Sequence, residues 1–244
     1  MSSSPVTAAH IDKLELLVSE LFGPTFQGEG PSIGTPCMFL RLADCNLACT
    51  WCDTKYSWDW RNYDYKKEIR RRKLGDVLNQ LNELGTGVKH LVVTGGEPLL
   101  QQERLAVLLN KIRGWRWRVE VETAGTVMPI RALHEEVSRF NVSPKLSNSG
   151  NPLEKRYKPE VLDYFRSTGK AYFKFVVSLP EDLDEVQKLV DTHHLEPDVY
   201  IMPEGTEAEE IVRKTVLLAP HVISRKWNMT TRLHVLAFGN TRGT

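Results

Sequence analysis

Four cysteines fall within residues 37–52 of this 244-residue chain, and three of them, Cys45, Cys49 and Cys52, are spaced Cys-x-x-x-Cys-x-x-Cys. Soft thiolates select an iron–sulfur cluster, zinc or Cu(I) over hard cations. Structural zinc draws four ligands, usually as two separated pairs, and that arrangement is absent. Three thiolates from one short loop can wrap the corners of a four-iron four-sulfur cluster. They leave one iron without a protein ligand, open to a substrate or cofactor. Disulfides are the competing reading, and a reducing compartment disfavours them. Cys37 lies in the apolar run Cys37-Met38-Phe39-Leu40-Arg41-Leu42. It reads as a small buried hydrophobe, with fourth-ligand duty as the alternative.

Three further polar clusters follow apolar runs: Thr94-Gly95-Gly96-Glu97-Pro98, Glu122-Thr123-Ala124-Gly125 and Ser143-Pro144-Lys145. Paired glycines allow backbone to approach a ligand closely, and Glu97 offers a carboxylate to an ammonium. A plain strand-to-helix turn is the bland reading of the same residues. A structural pairing of Glu122 with Lys145 is likewise open.

Strands are expected at Cys37–Leu42, His90–Thr94, Arg118–Glu122, Phe140–Ser143, Ala171–Val177, Val199–Met202 and Arg232–Phe238. Helices are expected at Lys73–Leu84, Gln101–Arg113, Pro159–Ser167, Pro180–His193 and Thr206–Leu218, the last with Thr206 as cap. Alternating strand and helix imply parallel pairing with right-handed crossovers, hence an α/β barrel or an open doubly wound sheet. Ligands of such sheets bind at the carboxyl ends of the strands, where all three clusters fall.

Lys plus Arg number 32 against 31 Asp plus Glu, a formal charge of +1. That balance argues against a nucleic-acid or anionic-membrane partner. The basic run at residues 69–73 reads as a solvated helix face. No apolar stretch reaches the roughly 20 residues of a membrane span, and Met1–His10 lacks a secretory pattern. The expectation is a cytoplasmic protein with a flexible tail over residues 1–13 and one catalytic domain over 14–244.

The loop Cys45-Asn46-Leu47-Ala48-Cys49-Thr50-Trp51-Cys52 resembles the CxxxCx(aromatic)C signature of the radical S-adenosylmethionine superfamily, and Gly95-Gly96-Glu97-Pro98 resembles its GGEP motif. Within that superfamily, Phe26-Gln27-Gly28-Glu29-Gly30, Cys52-Asp53-Thr54, Thr94–Gln101, Glu122–Thr126 and Val142–Lys145 are similar to the 7-carboxy-7-deazaguanine synthases. The likeness is weakest at residues 55–87 and 150–170, and this chain has the short spacing between its first two cluster cysteines. The resemblance implies a partial, laterally open (β/α) barrel, usually a homodimer. It implies a 4Fe-4S cluster on Cys45, Cys49 and Cys52 whose open iron is chelated by S-adenosyl-L-methionine, and an electron donor such as flavodoxin or ferredoxin. The implied reaction is radical ring contraction of 6-carboxytetrahydropterin with loss of ammonia. Trp51, Gly95, Gly96, Glu97, Glu122, Ser143 and Lys145 would then hold the cofactor. Gln27, Glu29, Arg41, Thr94 and His234 would hold the pterin, through donor-edge contacts and a guanidinium on its carboxylate. Thr54 would bind Mg2+, for which a hydroxyl oxygen is suited.

Two other readings compete. A glycyl-radical activase would share CxxxCxxC but need a protein-docking surface and no pterin pocket. A non-catalytic iron–sulfur or zinc module would give Glu97 no role.

Overall fold

The computed structural model describes residues 13–85 and 87–244. The expected tail over residues 1–13 lies, but for Lys13, outside the described residues. Nine strands form one sheet: β1 (Glu15–Phe26), β2 (Pro36–Leu42), β3 (Arg70–Lys73), β4 (His90–Gly95), β5 (Arg118–Thr123), β6 (Arg139–Val142), β7 (Ala171–Val177), β8 (Val199–Pro203) and β9 (Asn228–Met229). Their order is β3-β1-β2-β4-β5-β6-β7-β8-β9, and the ends do not meet, so the barrel is open at the side. β1 pairs antiparallel with β2 and β3, and every pairing from β2 onward is parallel. Helices return the chain between the parallel strands, among them Leu74–Leu84, Gln102–Gly114, Pro159–Ser167, Asp182–His193 and Ala208–Ser224.

Strand side chains alternate between two faces, and here the two faces differ in kind. Leu91, Val93, Val119, Val121, Phe140, Val142, Phe173 and Phe175 face the helices in one continuous apolar core. Burying each such side chain stabilises by about 1.5–3 kcal/mol. The other face points into the barrel and is largely polar: Thr94, Glu120, Asn141 and Lys174 are all buried. Register aligns these lumen positions across neighbours, as in Val92↔Glu120, Glu122↔Asn141 and Lys174↔Tyr200. Because β2 and β4 to β8 run parallel, the loops that follow them gather at one end of the barrel.

Three expectations are corrected. The basic run is an edge strand, β3, paired with β1 through Val18↔Arg70 to Glu15↔Lys73, rather than a helix face. Its solvation is as expected, with Arg70, Arg71 and Lys73 exposed; charge on an edge strand discourages further pairing. The expected strand Arg232–Phe238 is a short helix, Leu233–Phe238, which closes at Gly239 with φ +68°. Its first N–H is taken by Gly28 O at 2.9 Å, which ties the segment to the loop after β1 rather than to a sheet edge. The helix expected from Thr206 begins at Ala208 instead, Glu207 occupying the cap without a side-chain bond, and continues past Leu218 to Ser224. Leu14–Phe22 lies mostly in β1.

Candidate active site

The loops at the carboxyl ends of the strands enclose a cavity of about 1310 Å³, counting space open to solvent. Cys45, Cys49, Cys52, Trp51, Thr54, Gly95, Gly96, Glu122, Ser143 and Lys145 line it, together with Gln27, Glu29, Arg41, Thr94 and His234. Of the residues expected at the site, Glu97 alone does not.

The three thiols are free and sit in an apolar patch with Leu47, Trp51 and Ala124. Burial pushes the Cys45 thiol up to about 12 and raises that of Cys49, while the Lys145 cation pulls both down. The bare Cys45 and Cys49 thiols therefore stay protonated near neutral pH, and a bound metal must displace their protons. Each sulfur has one N–H directed at it: Leu47 N on Cys45 (3.4 Å), Asn151 Nδ2 on Cys49 (3.2 Å) and Trp58 Nε1 on Cys52 (3.3 Å). Three free, separate thiols, each with a donor and all open to one cavity, fit the donor set of an iron–sulfur cluster. Cys37 is different. It is fully buried, packs with Phe39 and Val92 inside the barrel, and does not line the cavity.

Gly95, which ends β4, and Gly96, which follows it, serve the cysteine loop first. A Cβ on Gly95, whose φ is +148°, would lie 2.2 Å from Leu42 O, and one on Gly96 would lie 2.1 Å from Asp44 O. The close approach lets Gly96 N–H bond to Leu42 O (3.2 Å) and Glu97 N–H to Asp44 O (2.8 Å). Glu97 is wholly buried, and its carboxylate accepts from Leu99 N (3.1 Å), Thr123 Oγ1 (2.9 Å) and Ala124 N (2.8 Å). Burial raises its pKa, against those hydrogen bonds. Glu97 does not line the cavity: its carboxylate caps a turn and ties β4 to β5 behind the cavity wall.

Glu122 is not paired with Lys145. Its oxygens accept from Gln27 Nε2 (3.1 Å) and Thr94 Oγ1 (2.7 Å), which joins it to residues expected on the substrate. Lys145 donates to Ser143 Oγ (3.0 Å) and lies 5.6 Å from the centre of the Trp51 ring. Arg41 gives its Nε to Glu20 at 2.7 Å; among the described residues its other guanidinium nitrogens have no protein partner. His234 stands against Gly28, where a Cβ would come within 1.9 Å of Nδ1, and burial lowers its pKa. Thr54 Oγ1 is 3.6 Å from Cys52 Sγ.

Sequence reading missed several lining residues. Lys174 and Arg232 both pair with Glu29, and Arg232 also pairs with Asp53. Burial would raise the Glu29 carboxyl, but Lys174, Arg232 and His234 outweigh it and hold the group well below the usual carboxylate range. The single lysine inside the apolar run Ala171–Val177 was a usable signal; Arg232 gave none.

Comparison with known proteins decides between the competing readings. The family model described as Radical SAM superfamily matches residues 42–193, more than half of the chain. A 7-carboxy-7-deazaguanine synthase of Pyrobaculum aerophilum is 37% identical, covering 93% of this chain and 96% of its own length. One from Rhodopirellula baltica is 33% identical over 97% of this chain and 91% of its own length. The chain belongs to the 7-carboxy-7-deazaguanine synthase family of the radical S-adenosylmethionine superfamily. The crystal structure of QueE from Escherichia coli has the same fold, with a TM-score of 0.71 and 24% identity over 93% of this chain and 98% of its own. Membership in this superfamily implies a 4Fe-4S cluster and S-adenosylmethionine, and neither an activase nor a non-catalytic module is needed to account for the site.

Proposed function

We propose that this enzyme is a radical carbon–nitrogen lyase that contracts the ring of 6-carboxy-5,6,7,8-tetrahydropterin to 7-carboxy-7-deazaguanine with loss of ammonia, in queuosine or related 7-deazapurine biosynthesis. The observation that carries it is the single cavity into which both the cysteine triad and the polar set Gln27, Glu29, Arg41, Thr94 and His234 open. When bound, the cluster and S-adenosylmethionine supply the electron and the hydrogen-abstracting radical. The protein binds, orients and shields. Cys45, Cys49 and Cys52 hold the cluster, while Gly95, Gly96, Trp51, Ser143 and Lys145 line the cofactor side. Arg41 offers its free guanidinium nitrogens to the substrate carboxylate, a planar grip that lysine cannot reproduce. Half-buried His234, whose pKa burial lowers, and the Gln27–Glu122–Thr94 chain offer donors and acceptors to the pterin edge.

In this reading residues 14–244 act as one catalytic unit. Thr54 would contribute one oxygen to Mg2+, the neighbouring Asp53 being committed to Arg232. Equal turnover with and without a chelator would remove magnesium. The enzyme works in the cytoplasm as a homodimer, served by a small electron carrier such as flavodoxin or ferredoxin. The exposed stripe Val212, Val216 and Ile223 (53%, 71% and 73% exposed) on one face of the helix Ala208–Ser224 fits such pairing. Sedimentation at the mass of one chain would remove the dimer.

The reaction is tested by isotope. With reductant, S-adenosylmethionine and substrate deuterated at C6, deuterium is expected in 5′-deoxyadenosine, together with a deazapurine product. Cofactor cleavage without deuterium transfer or deazapurine would leave radical chemistry standing and sink the substrate.

A further inference from the structure

The loop that follows β6 does more than carry Ser143 and Lys145. At residues 147–151 it folds against the cysteine loop, with Thr50 N–H on Ser149 O at 3.0 Å and Trp51 Nε1 on Asn148 Oδ1 at 3.3 Å. Gly150, at φ +74°, faces Thr50 so closely that a Cβ would come within 2.8 Å of its methyl. Asn151, 8% exposed, is fixed by this contact. Its Oδ1 accepts the N–H of Ala48 at 2.8 Å, and its Nδ2 points at Cys49 Sγ at 3.2 Å. The same Nδ2 has only Ser149 as another acceptor, with Oγ at 3.2 Å and O at 3.5 Å. From the other side, the Trp58 indole reaches Cys52 Sγ at 3.3 Å. Among the described residues, the non-ligand cysteine, Cys37, receives no such side-chain donor.

We propose that Asn151 and Trp58 are positioning residues that set the reduction potential of the cluster by directing an N–H at two of its three cysteine sulfurs. The physical reason is electrostatic. The reduced cluster carries one more negative charge, shared over its sulfurs, and a fixed N–H dipole stabilises that charge more than it stabilises the oxidised form. Neither donor depends on the cysteine loop's own backbone, as the Leu47 N–H on Cys45 does. The potential can therefore be changed from outside the loop without altering a ligand.

This inference rests on the assignment of a cluster to Cys45, Cys49 and Cys52, and the experiment separates the two. Wild type, Asn151→Asp and Trp58→Phe are reconstituted anaerobically, assayed for iron, and titrated against redox mediators with the reduced cluster followed by electron paramagnetic resonance. Asn151→Asp keeps the acceptor for Ala48, loses the donor and adds a carboxylate charge that itself lowers the potential; Trp58→Phe keeps an aromatic ring, changes no charge and loses only the indole N–H, so a shift in it is what assigns the effect to the N–H. Each is expected to load four irons and, at a fixed applied potential, to show about a three- to tenfold lower ratio of reduced to oxidised cluster, tenfold being 59 mV for a one-electron couple. Unchanged midpoints in loaded variants would overturn the proposal while leaving the cluster in place. A wild type that takes up no iron would overturn the cluster assignment itself. Should Asn151→Asp fail to hold iron, Trp58→Phe alone carries the test.

Discussion

At Glu97, water reaches none of the carboxylate, and the groups around it are donors from its own turn and from the end of β5. Removing such an acceptor leaves the N–H groups of Leu99 and Ala124 buried and unpaired, at about 1–3 kcal/mol each. Glu97→Ala is therefore expected to destabilise the chain by about 2–5 kcal/mol, measured by urea unfolding without cofactor. A variant of unchanged stability that nonetheless loses S-adenosylmethionine binding would return Glu97 to direct contact. The residue type was legible in the motif, but its direction was not. A carboxylate after two glycines reads as a ligand until the neighbouring strand shows which side its donors come from.

The strand-end loops form one site because small residues let them interlock. Gly28 is the clearest case, since its missing side chain makes room for the imidazole of His234, and its carbonyl starts the helix Leu233–Phe238. Gly28→Ala must displace the imidazole of His234 from the cavity wall, because ring atoms at 1.9–2.9 Å from the new Cβ leave no space. The expected outcome is a KM for the pterin raised about tenfold or more, with iron content unchanged. Loss of iron instead would show that the two ends of the cavity are not mechanically separate. Residues 232–238 also show why this element escaped sequence reading. Their apolar spacing suits a strand, yet no neighbouring strand is offered there, so local helical bonds and the Gly28 anchor decide the outcome.

Across the whole barrel, the lumen is closed below the cavity by a polar layer centred on Glu120. Ser32 Oγ (2.7 Å) and Asn141 Nδ2 (3.2 Å) donate to it, Arg118 pairs with it, and His90 Nε2 lies 3.4 Å away. Burial would raise this carboxyl, but His90, Ser32 and Arg118 prevail and hold it at about 2 against an ordinary 4.5. A group depressed in the folded state stabilises fully above its unfolded value and loses that contribution as pH falls toward the folded one. The contribution is of the order of 3 kcal/mol, present above pH 4.5 and lost progressively toward pH 2. Urea unfolding between pH 5 and pH 2.5 is expected to lose less stability in Glu120→Gln than in wild type. Parallel pH slopes for the two proteins would refute this account of the layer.

Sequence by itself determined the chemistry and the class of fold. Thiolate spacing is a local property of one loop, so three cysteines at fixed steps offer a three-thiolate metal site wherever the loop is placed, and the likeness to the radical S-adenosylmethionine signature names the cluster. Alternation of apolar runs with amphipathic stretches implies parallel strands and puts the polar motifs at one edge. Only the tertiary structure decided which polar groups face the cavity and which face each other. Glu97 turned inward, Glu122 toward Gln27 and Thr94, and Glu29 toward Lys174 and Arg232. Those partners lie tens to hundreds of residues apart in sequence. A buried charge is settled by whichever distant donor the fold brings within about 3 Å, and spacing along the chain carries no record of that.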